Sequence, residues 1–325
     1  MLIPNSAIPD SLPYIDGKDI ERLLPMRTAV EVLREAYRRF DPQALILRAA
    51  HSVPAGHFLV MPASDTCHVG VKLVGVAPGN SRRGVSTVQA LYVLFDAETL
   101  SPLAAMQGDT LTDIRTPAVS ALATDLGARA DARHLAIVGS GAQARGHVTG
   151  MLAVRPVERL TIVARNPATA GELADFARQS GIDDVRIAGR EALPEADIIC
   201  TCTNSVTPVV SDTDVGAGCH INAVGAFNAR MRELDGPLVA RGRLLVEERR
   251  SALQEAGDIV QAIEAGHITA DALETDLREA VGNAAFRRND DDVTIFKSVG
   301  IAFEDLAIAA EIYRRWRTSN YRGAV

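Results

Sequence analysis

No run of about 18 apolar residues interrupts the 325-residue chain, which argues against a helical membrane span. The first residues, with Pro4, Pro9, Asp10, Pro13 and Asp16, lack the basic-then-apolar order of a signal peptide, so a cytoplasmic location is expected. Cysteine is scarce. Cys67, Cys200, Cys202 and Cys219 are irregularly spaced, which suits a reducing cytosol better than a disulfide framework. Cys200 and Cys202 are read as sharing one face of a buried strand. No His-x-x-His or Cys-x-x-Cys pair accompanies them, so no metal site is expected. A basic excess is also missing: the net charge of -7 and pI near 5.6 count against nucleic acid or an anionic membrane as the main partner. A small anionic substrate needs only a few local Arg and Lys residues and stays open. There is no Gly-x-Ser-x-Gly elbow, His-Glu-x-x-His pair or Gly-x-x-x-x-Gly-Lys loop, which removes three common catalytic templates. Internal repeats, low-complexity tracts and long linkers are absent as well.

What the chain does have is an apolar fraction of 47% and room for about two domains. Its most telling stretch is the apolar run from His134 into Gly139-Ser140-Gly141-Ala142-Gln143-Ala144, which has the form of a dinucleotide-binding turn. The first glycine makes the tight turn and the second admits a pyrophosphate to the backbone. A small third residue, Ala144, lets the helix pack against its strand. The helix start then offers N–H groups and a positive dipole end. Such a turn alone is weak evidence, but its surroundings alternate as a doubly wound α/β domain should. Strands are predicted at 160–164, 184–188, 197–202, 220–224 and 244–247. Helices are predicted at 167–179, with Asn166-Pro167 as its cap, and at 251–265.

The region before residue 135 reads differently. A helix is predicted over 26–40, followed by strand-like runs at 44–47, 57–61, 70–76 and 86–95 and a linking helix over 110–128. The pattern is α+β without β-α-β alternation. The helical stretch 302–316 is expected to pack back onto this region. The expected fold is therefore a Rossmann-type doubly wound α/β nucleotide-binding domain, residues 126–297, plus an α+β domain made of 1–125 with 298–325.

Three basic residues in the first domain stand out: Arg48, Lys72 and Arg115. Lys72 lies in the apolar run Val69-Gly-Val-Lys-Leu-Val74, where burying a charge is costly without a partner. On spacing alone Lys72 belongs on the wet face of a half-buried strand and Arg115 on a solvated helix face. The functional alternative is that they converge on a carboxylate, which arginine grips with a bidentate fork. Asp113 and Glu233 are candidate supporting acids, read first as ordinary surface or helix residues, and His134, His147 and His220 are read as structural. At the end of the second strand of the nucleotide domain, Val163-Ala164-Arg165-Asn166 offers arginine and no acid, which favours NADP(H), with NAD(H) the other possibility.

Arg48, Met61-Pro62, Lys72, Leu111-Thr-x-x-Arg115-Thr116, Gly139-x-Gly-x-Gln-Ala144, Gly225-Ala-Phe227, Met231-Arg-Glu-Leu-Asp235, Glu255-Ala-Gly-Asp258 and Phe296-Lys-Ser-Val-Gly300 together resemble the ornithine cyclodeaminase/mu-crystallin family. The likeness runs in order over nearly the whole chain. It implies a homodimer whose first domain supplies the dimer interface and the pocket for a small amino or imino acid. By the same resemblance Lys72 and Arg115 are the catalytic candidates. Arg48, Met61, Lys72, Arg115 and Phe227 form the substrate set, and Gly139, Gly141, Ala142, Gln143, Arg165 and Asn166 the cofactor set.

True cyclodeaminases of the family place an aspartate two residues beyond a glycine after the fifth strand, where it assists chemistry at the substrate amine. Here Gly225-Ala226-Phe227 puts phenylalanine at that position. Gly-Ala-Phe followed by Met231-Arg-Glu resembles members that reduce cyclic imino acids such as Δ1-pyrroline-2-carboxylate, although those usually carry proline where this chain has Ala229. The expectation is an NAD(P)H-dependent reductase forming proline. The alternatives are ornithine cyclodeamination to proline and ammonia, and a non-catalytic holder of NADPH and a small ligand.

Overall fold

The computed structural model describes residues 12–282 and 286–321. In chain order the strands are β1 (Tyr14–Ile15), β2 (Ala49–Val53), β3 (Gly56–Ser64), β4 (His68–Val76), β5 (Val88–Asp96), β6 (Pro102–Gln107), β7 (His134–Val138), β8 (Arg159–Val163), β9 (Asp184–Ile187), β10 (Ile198–Thr201), β11 (His220–Ala223), β12 (Arg243–Val246), β13 (Thr275–Asp276) and β14 (Thr294–Lys297). The helices are α1 (Gly17–Leu23), α2 (Met26–Arg39), α3 (Gly108–Gly127), α4 (Ala142–Val154), α5 (Pro167–Gln179), α6 (Gly236–Arg241), α7 (Arg249–Glu255), α8 (Gly257–Glu264), α9 (Leu277–Gly282) and α10 (Ala302–Tyr321). The described residues form two compact units, one of 12–32, 41–115 and 301–321, the other of 33–40, 116–282 and 286–300. Among the described residues no helix is long and apolar enough to cross a membrane.

The first unit is built on a six-stranded sheet in the order β1-β6-β5-β4-β3-β2. Strands β2 to β6 pair antiparallel and β1 joins β6 in parallel. Because side chains alternate across a sheet, one face carries the ladder Met61, Lys72, Tyr92 and Met106, each opposite the next, and all four are buried. Helix α10 packs on this face over β3, β4 and β5. Its buried stripe is Asp305, Ile308, Ala309 and Ile312, the i, i+3, i+4, i+7 spacing of one helix face. Each large aliphatic so covered contributes roughly 1.5–3 kcal/mol. The opposite sheet face carries Val60, Pro62, Val71, Leu73, Leu91 and Val93, all left partly or fully exposed.

The second unit holds an eight-stranded sheet in the order β13-β12-β14-β11-β10-β7-β8-β9, with every pairing parallel. Its strands are apolar on both faces, Leu135, Ile137, Leu160, Ile162, Ile199, Ile221 and Ile295 all being buried, as helix-covered parallel strands require. The chain runs from β7 outward to β9 and then returns to the other side of β7 at β10. That reversal is the switch point at which such sheets bind ligands, and the turn after β7 is the glycine turn.

Three sequence expectations need correction. The run 44–47 is not a strand: a short 3-10 turn, Pro42–Ala44, capped by Asp41, delays the strand to Ala49–Val53. β6 lies in a stretch with no strand prediction, since Pro102 opens it. The helix expected over 251–265 is two helices, broken at Ala256 with ψ 92°. The break has a steric reason, because a Cβ at Gly257 would sit 1.9 Å from the Met231 carbonyl oxygen. It also turns Asp258 inward, where its carboxylate accepts hydrogen bonds from the backbone N–H groups of Glu233 (2.7 Å) and Leu234 (2.8 Å).

Candidate active site

In the first unit Lys72 projects from the middle of β4 beneath α10. Its Nζ lies 2.8 Å from Asp305 Oδ1 and 2.7 Å from Oδ2, and 3.4 Å from Thr112 Oγ1 on α3. Three residues along α3, Arg115 reaches the same acids, with Nη1 3.2 Å from Glu304 Oε2 and Nε 3.3 Å from Asp305 Oδ1. Lys72 is 2% and Arg115 6% exposed, while Glu304 and Asp305 are fully buried. The placement of Lys72 on a wet strand face and Arg115 on a solvated helix face is thus overturned. The reason is the acidic pair on α10, which makes burial of both cations tolerable.

Burial pulls the Lys72 ammonium down to about 8, and the positive charges of Arg115 and Arg48 act the same way against the opposing pull of Asp305. Arg48, half-buried in the segment leading into β2, is therefore close enough to be felt at Lys72. Met61 faces Lys72 from β3 and Tyr92 faces it from β5. The Tyr92 phenol is fully buried, and its hydroxyl has no hydrogen-bond partner. It lies over Gly70, where a Cβ would come within 1.9 Å of the hydroxyl oxygen. Burial, then the charges of Asp305 and Asp65, push that phenol well above the usual tyrosine range. The structure thus brings Met61, Lys72 and Arg115 together, with Arg48 within electrostatic reach of Lys72. Phe227 belongs to the other unit, exposed in the loop after β11. Asp113 is an exposed residue of α3.

Sequence reasoning missed Glu304, Asp305 and Tyr92. The signal for the acids was available: Glu304-Asp305 interrupts the apolar stretch Ile301-Ala-Phe…Leu306-Ala-Ile-Ala-Ala310, and two carboxylates there require cations. Only three lysines occur in the chain, Lys18, Lys72 and Lys297, and the last two are buried.

In the second unit Gly139 adopts φ +115°, and a Cβ there would meet the Cys202 carbonyl oxygen at 2.6 Å, so the turn needs glycine on both counts. Gly141 caps α4 without a side-chain hydrogen bond, and the first turn of α4 carries no acid. A Cβ at Gly141 would meet nothing within 4 Å. The start of α4 is thus an uncapped, positively polarised helix end beside open space, which fits a pyrophosphate. Ala144 is fully buried, as close strand-helix packing requires. Arg165 is exposed just beyond β8. Asn166 spends its side-chain oxygen on the Ala168 N–H as the cap of α5.

The remaining quoted motifs meet in one buried network at the carboxyl ends of the strands. Glu233, read as a surface or helix residue, is fully buried. Its carboxylate accepts hydrogen bonds from Thr201 Oγ1 (2.9 Å), Thr203 N (2.7 Å) and Oγ1 (2.8 Å), Gly225 N (2.7 Å) and Ala226 N (3.2 Å). Asp258 in turn pairs with Lys297 at 2.9 Å, and Lys297 Nζ donates to the Ala223 carbonyl at 3.1 Å. Glu233 therefore fixes the segment from which Phe227 projects. The three histidines bond neighbouring backbone and hydroxyl groups. His134 bonds the Glu195 carbonyl and Thr161 hydroxyl, both at 2.8 Å. His147 bonds the Gln143 carbonyl (2.7 Å) and Ser120 (2.9 Å), and His220 bonds Thr294 at 2.9 Å. Cys200 is buried in β10, and burial pushes its thiol up to about 12. Cys202 lies just past that strand, so the two do not share a strand face.

Comparison with known proteins decides the family. The profile of the ornithine cyclodeaminase/mu-crystallin family matches residues 16–320. The chain belongs to that family. Among curated relatives, Δ1-pyrroline-2-carboxylate reductase of Bacillus cereus is 35% identical over 311 residues, covering 93% of this chain and 95% of the relative. Among family structures, Thermococcus litoralis Δ1-pyrroline-2-carboxylate reductase, in complex with NADH and L-proline, superposes with a TM-score of 0.90 at 31% identity, covering 95% of this chain and 98% of that one. An archaeal alanine dehydrogenase dimer with bound NAD gives 0.89 at 27% identity, covering 95% and 97%.

Proposed function

We propose that the chain is an NAD(P)H-dependent reductase of cyclic imino acids that converts Δ1-pyrroline-2-carboxylate to proline. The reading is carried by the buried Lys72–Arg115 cluster on the inner sheet face, within electrostatic reach of Arg48. Lys72 and Arg115 are held in place by Glu304 and Asp305, and an arginine fork and an ammonium presented together suit a substrate carboxylate. Relatives of similar length named for this reaction support it.

In this reading Arg48 and Arg115 hold the carboxylate, and Lys72, with an ammonium that titrates near pH 8, polarises the imine nitrogen or supplies its proton. Met61 lines the pocket against Lys72, and Phe227 supplies an apolar surface where a cyclodeaminase needs an acid. The backbone of Gly139, Gly141, Ala142 and Gln143 cradles the pyrophosphate. Arg165, with Asn166 beside it, meets a ribose 2′-phosphate, so NADP(H) is preferred to NAD(H). When bound, the nicotinamide nucleotide supplies the hydride. The apolar outer sheet face around Val71, Leu73, Leu91 and Val93 supports a homodimer joined through the first unit.

Oxidation of NADPH and of NADH is to be followed with Δ1-pyrroline-2-carboxylate and Δ1-piperideine-2-carboxylate, and ammonia release with ornithine. Turnover of an imine without ammonia release is expected. Inertness toward both imines rejects the reading, and ammonia from ornithine replaces it with cyclodeamination.

A further inference from the structure

We propose that Asp305 is a positioning residue for Lys72: from the C-terminal helix its carboxylate aims the ammonium and holds it as the cation that meets the substrate. The proposal rests on the reading of Lys72 as a substrate-facing group and adds a residue outside every motif that carried the family resemblance.

The geometry is specific. Both Asp305 oxygens lie within 2.8 Å of Lys72 Nζ, an oblique two-point contact that fixes a long flexible side chain. Thr112 Oγ1 at 3.4 Å adds a third polar neighbour from α3, while its own hydroxyl donates to the Gly108 carbonyl at 2.9 Å. Asp305 shares its helix face with Ile308, Ala309 and Ile312, all fully buried, so the helix cannot rotate the acid away without exposing its apolar stripe. Arg115 is shared between Glu304 (3.2 Å) and Asp305 (3.3 Å), and Asp305 is the carboxylate in contact with Lys72.

The other groups facing Lys72 oppose it or are neutral. Arg115 from α3 and Arg48 from the segment before β2 are positive and favour the free amine. Tyr92 from β5 stays a neutral phenol, and Met61 from β3 carries no charge. Asp305 is the counterweight, raising Lys72 both by its charge and by its hydrogen bond. Without it, burial and the positive charges of Arg115 and Arg48 act on the amine unopposed by that carboxylate and favour loss of its proton.

The test uses the scarcity of lysine. With three lysines in the chain, protein labelled with carbon-13 at the lysine ε carbon gives three signals, and Lys72→Met identifies one by its disappearance. The Lys72 signal is expected to titrate near pH 8 in the wild type. In Asp305→Asn its midpoint falls by about 1–3 pH units, the effect of removing an opposite charge at contact distance. The alkaline limb of kcat/KM for Δ1-pyrroline-2-carboxylate moves by the same amount, so that activity lost at pH 8 returns on acidification. A merely structural role predicts a loss that is equal at every pH.

An unmoved Lys72 midpoint in Asp305→Asn overturns the proposal. Should that variant fail to fold, Asp305→Glu decides: its retained charge keeps the titration in place while its extra length misaims the ammonium and lowers kcat/KM at least tenfold, and unchanged kcat/KM overturns the proposal. Because the titration needs no substrate, it separates the two claims. A wild type inert toward imines rejects the functional reading, and an active wild type whose variant leaves the midpoint unmoved rejects the Asp305 assignment.

Discussion

Replacing Lys72 with methionine separates the charge of the lysine from its bulk. Methionine keeps an unbranched stem of similar reach on the inner face of β4, so most packing against Met61 and Tyr92 survives. The ammonium is lost, and fully buried Asp305 retains Arg115 Nε at 3.3 Å as its charged contact. Removing one partner of a buried pair costs about 3–5 kcal/mol because the other charge is left uncompensated. The remaining arginine puts Lys72→Met at the lower end, about 3 kcal/mol. Against a typical total of about 5–15 kcal/mol the variant stays folded but is visibly weakened.

Urea unfolding followed by fluorescence reads this directly, since the single tryptophan, Trp316, lies on α10. The double variant Lys72→Met/Asp305→Asn removes the orphaned charge and keeps an amide oxygen for Arg115. It should regain most of the lost stability, because neutral replacement of a buried pair is often nearly free. Turnover, in contrast, should stay about 10²–10⁴-fold down in both variants, the range for loss of a group that acts on a proton in the reaction. Affinity for the nicotinamide nucleotide should be unchanged in both, because its candidate residues belong to the other unit. Wild-type turnover in Lys72→Met refutes the role given to Lys72, and a double variant no more stable than the single refutes the charge argument.

Further outcomes follow from the second unit. Burial pulls His147 down to about 4 from 6.5, so it folds as the neutral ring. A lowered folded value means the unfolded chain binds the extra proton first, and stability is full above pH 6.5 and falls by about 3 kcal/mol as pH drops toward 4. Urea midpoints measured across that window should show the fall and His147→Gln should lessen it, the remainder coming from His220, which burial pulls down to about 3; an unchanged slope contradicts the assignment. Gly139→Ala forces a Cβ into the Cys202 carbonyl at 2.6 Å with φ +115°, and should cost about 1–3 kcal/mol and abolish nucleotide binding, as calorimetric titration would show. Arg165→Ala should weaken NADPH about tenfold, one charge-assisted contact, while sparing NADH. Equal effects on the two nucleotides remove Arg165 from the 2′-phosphate site.

What was legible in the sequence was whatever has a short-range cause. The glycine turn, the Asn166-Pro167 cap and the apolar strands of the nucleotide unit each announce themselves within about ten residues, so their positions were readable. The 3-10 turn at Pro42–Ala44 and the break at Ala256 depend on an Asp41 cap and on the Met231 carbonyl; the second partner is far off in sequence. The candidate site divided in the same way. Lys72 was conspicuous as a charge in an apolar run, but its burial could not be decided until Asp305, distant along the chain, was seen to lie over it. Glu233 reads in the sequence as a surface or helix residue, and Lys297 only as part of a motif. Their roles as the pin and counter-ion of the strand ends appear once β10, β11 and β14 lie side by side.

The central claim, reduction of a cyclic imine at the Lys72–Arg115 cluster, is tested most directly by following a label. Enzyme supplied with Δ1-pyrroline-2-carboxylate and a nicotinamide nucleotide carrying deuterium at its transferable position should yield proline labelled at C2, and Lys72→Met should yield almost none. Unlabelled proline, no proline, or equal labelling by Lys72→Met would contradict the account.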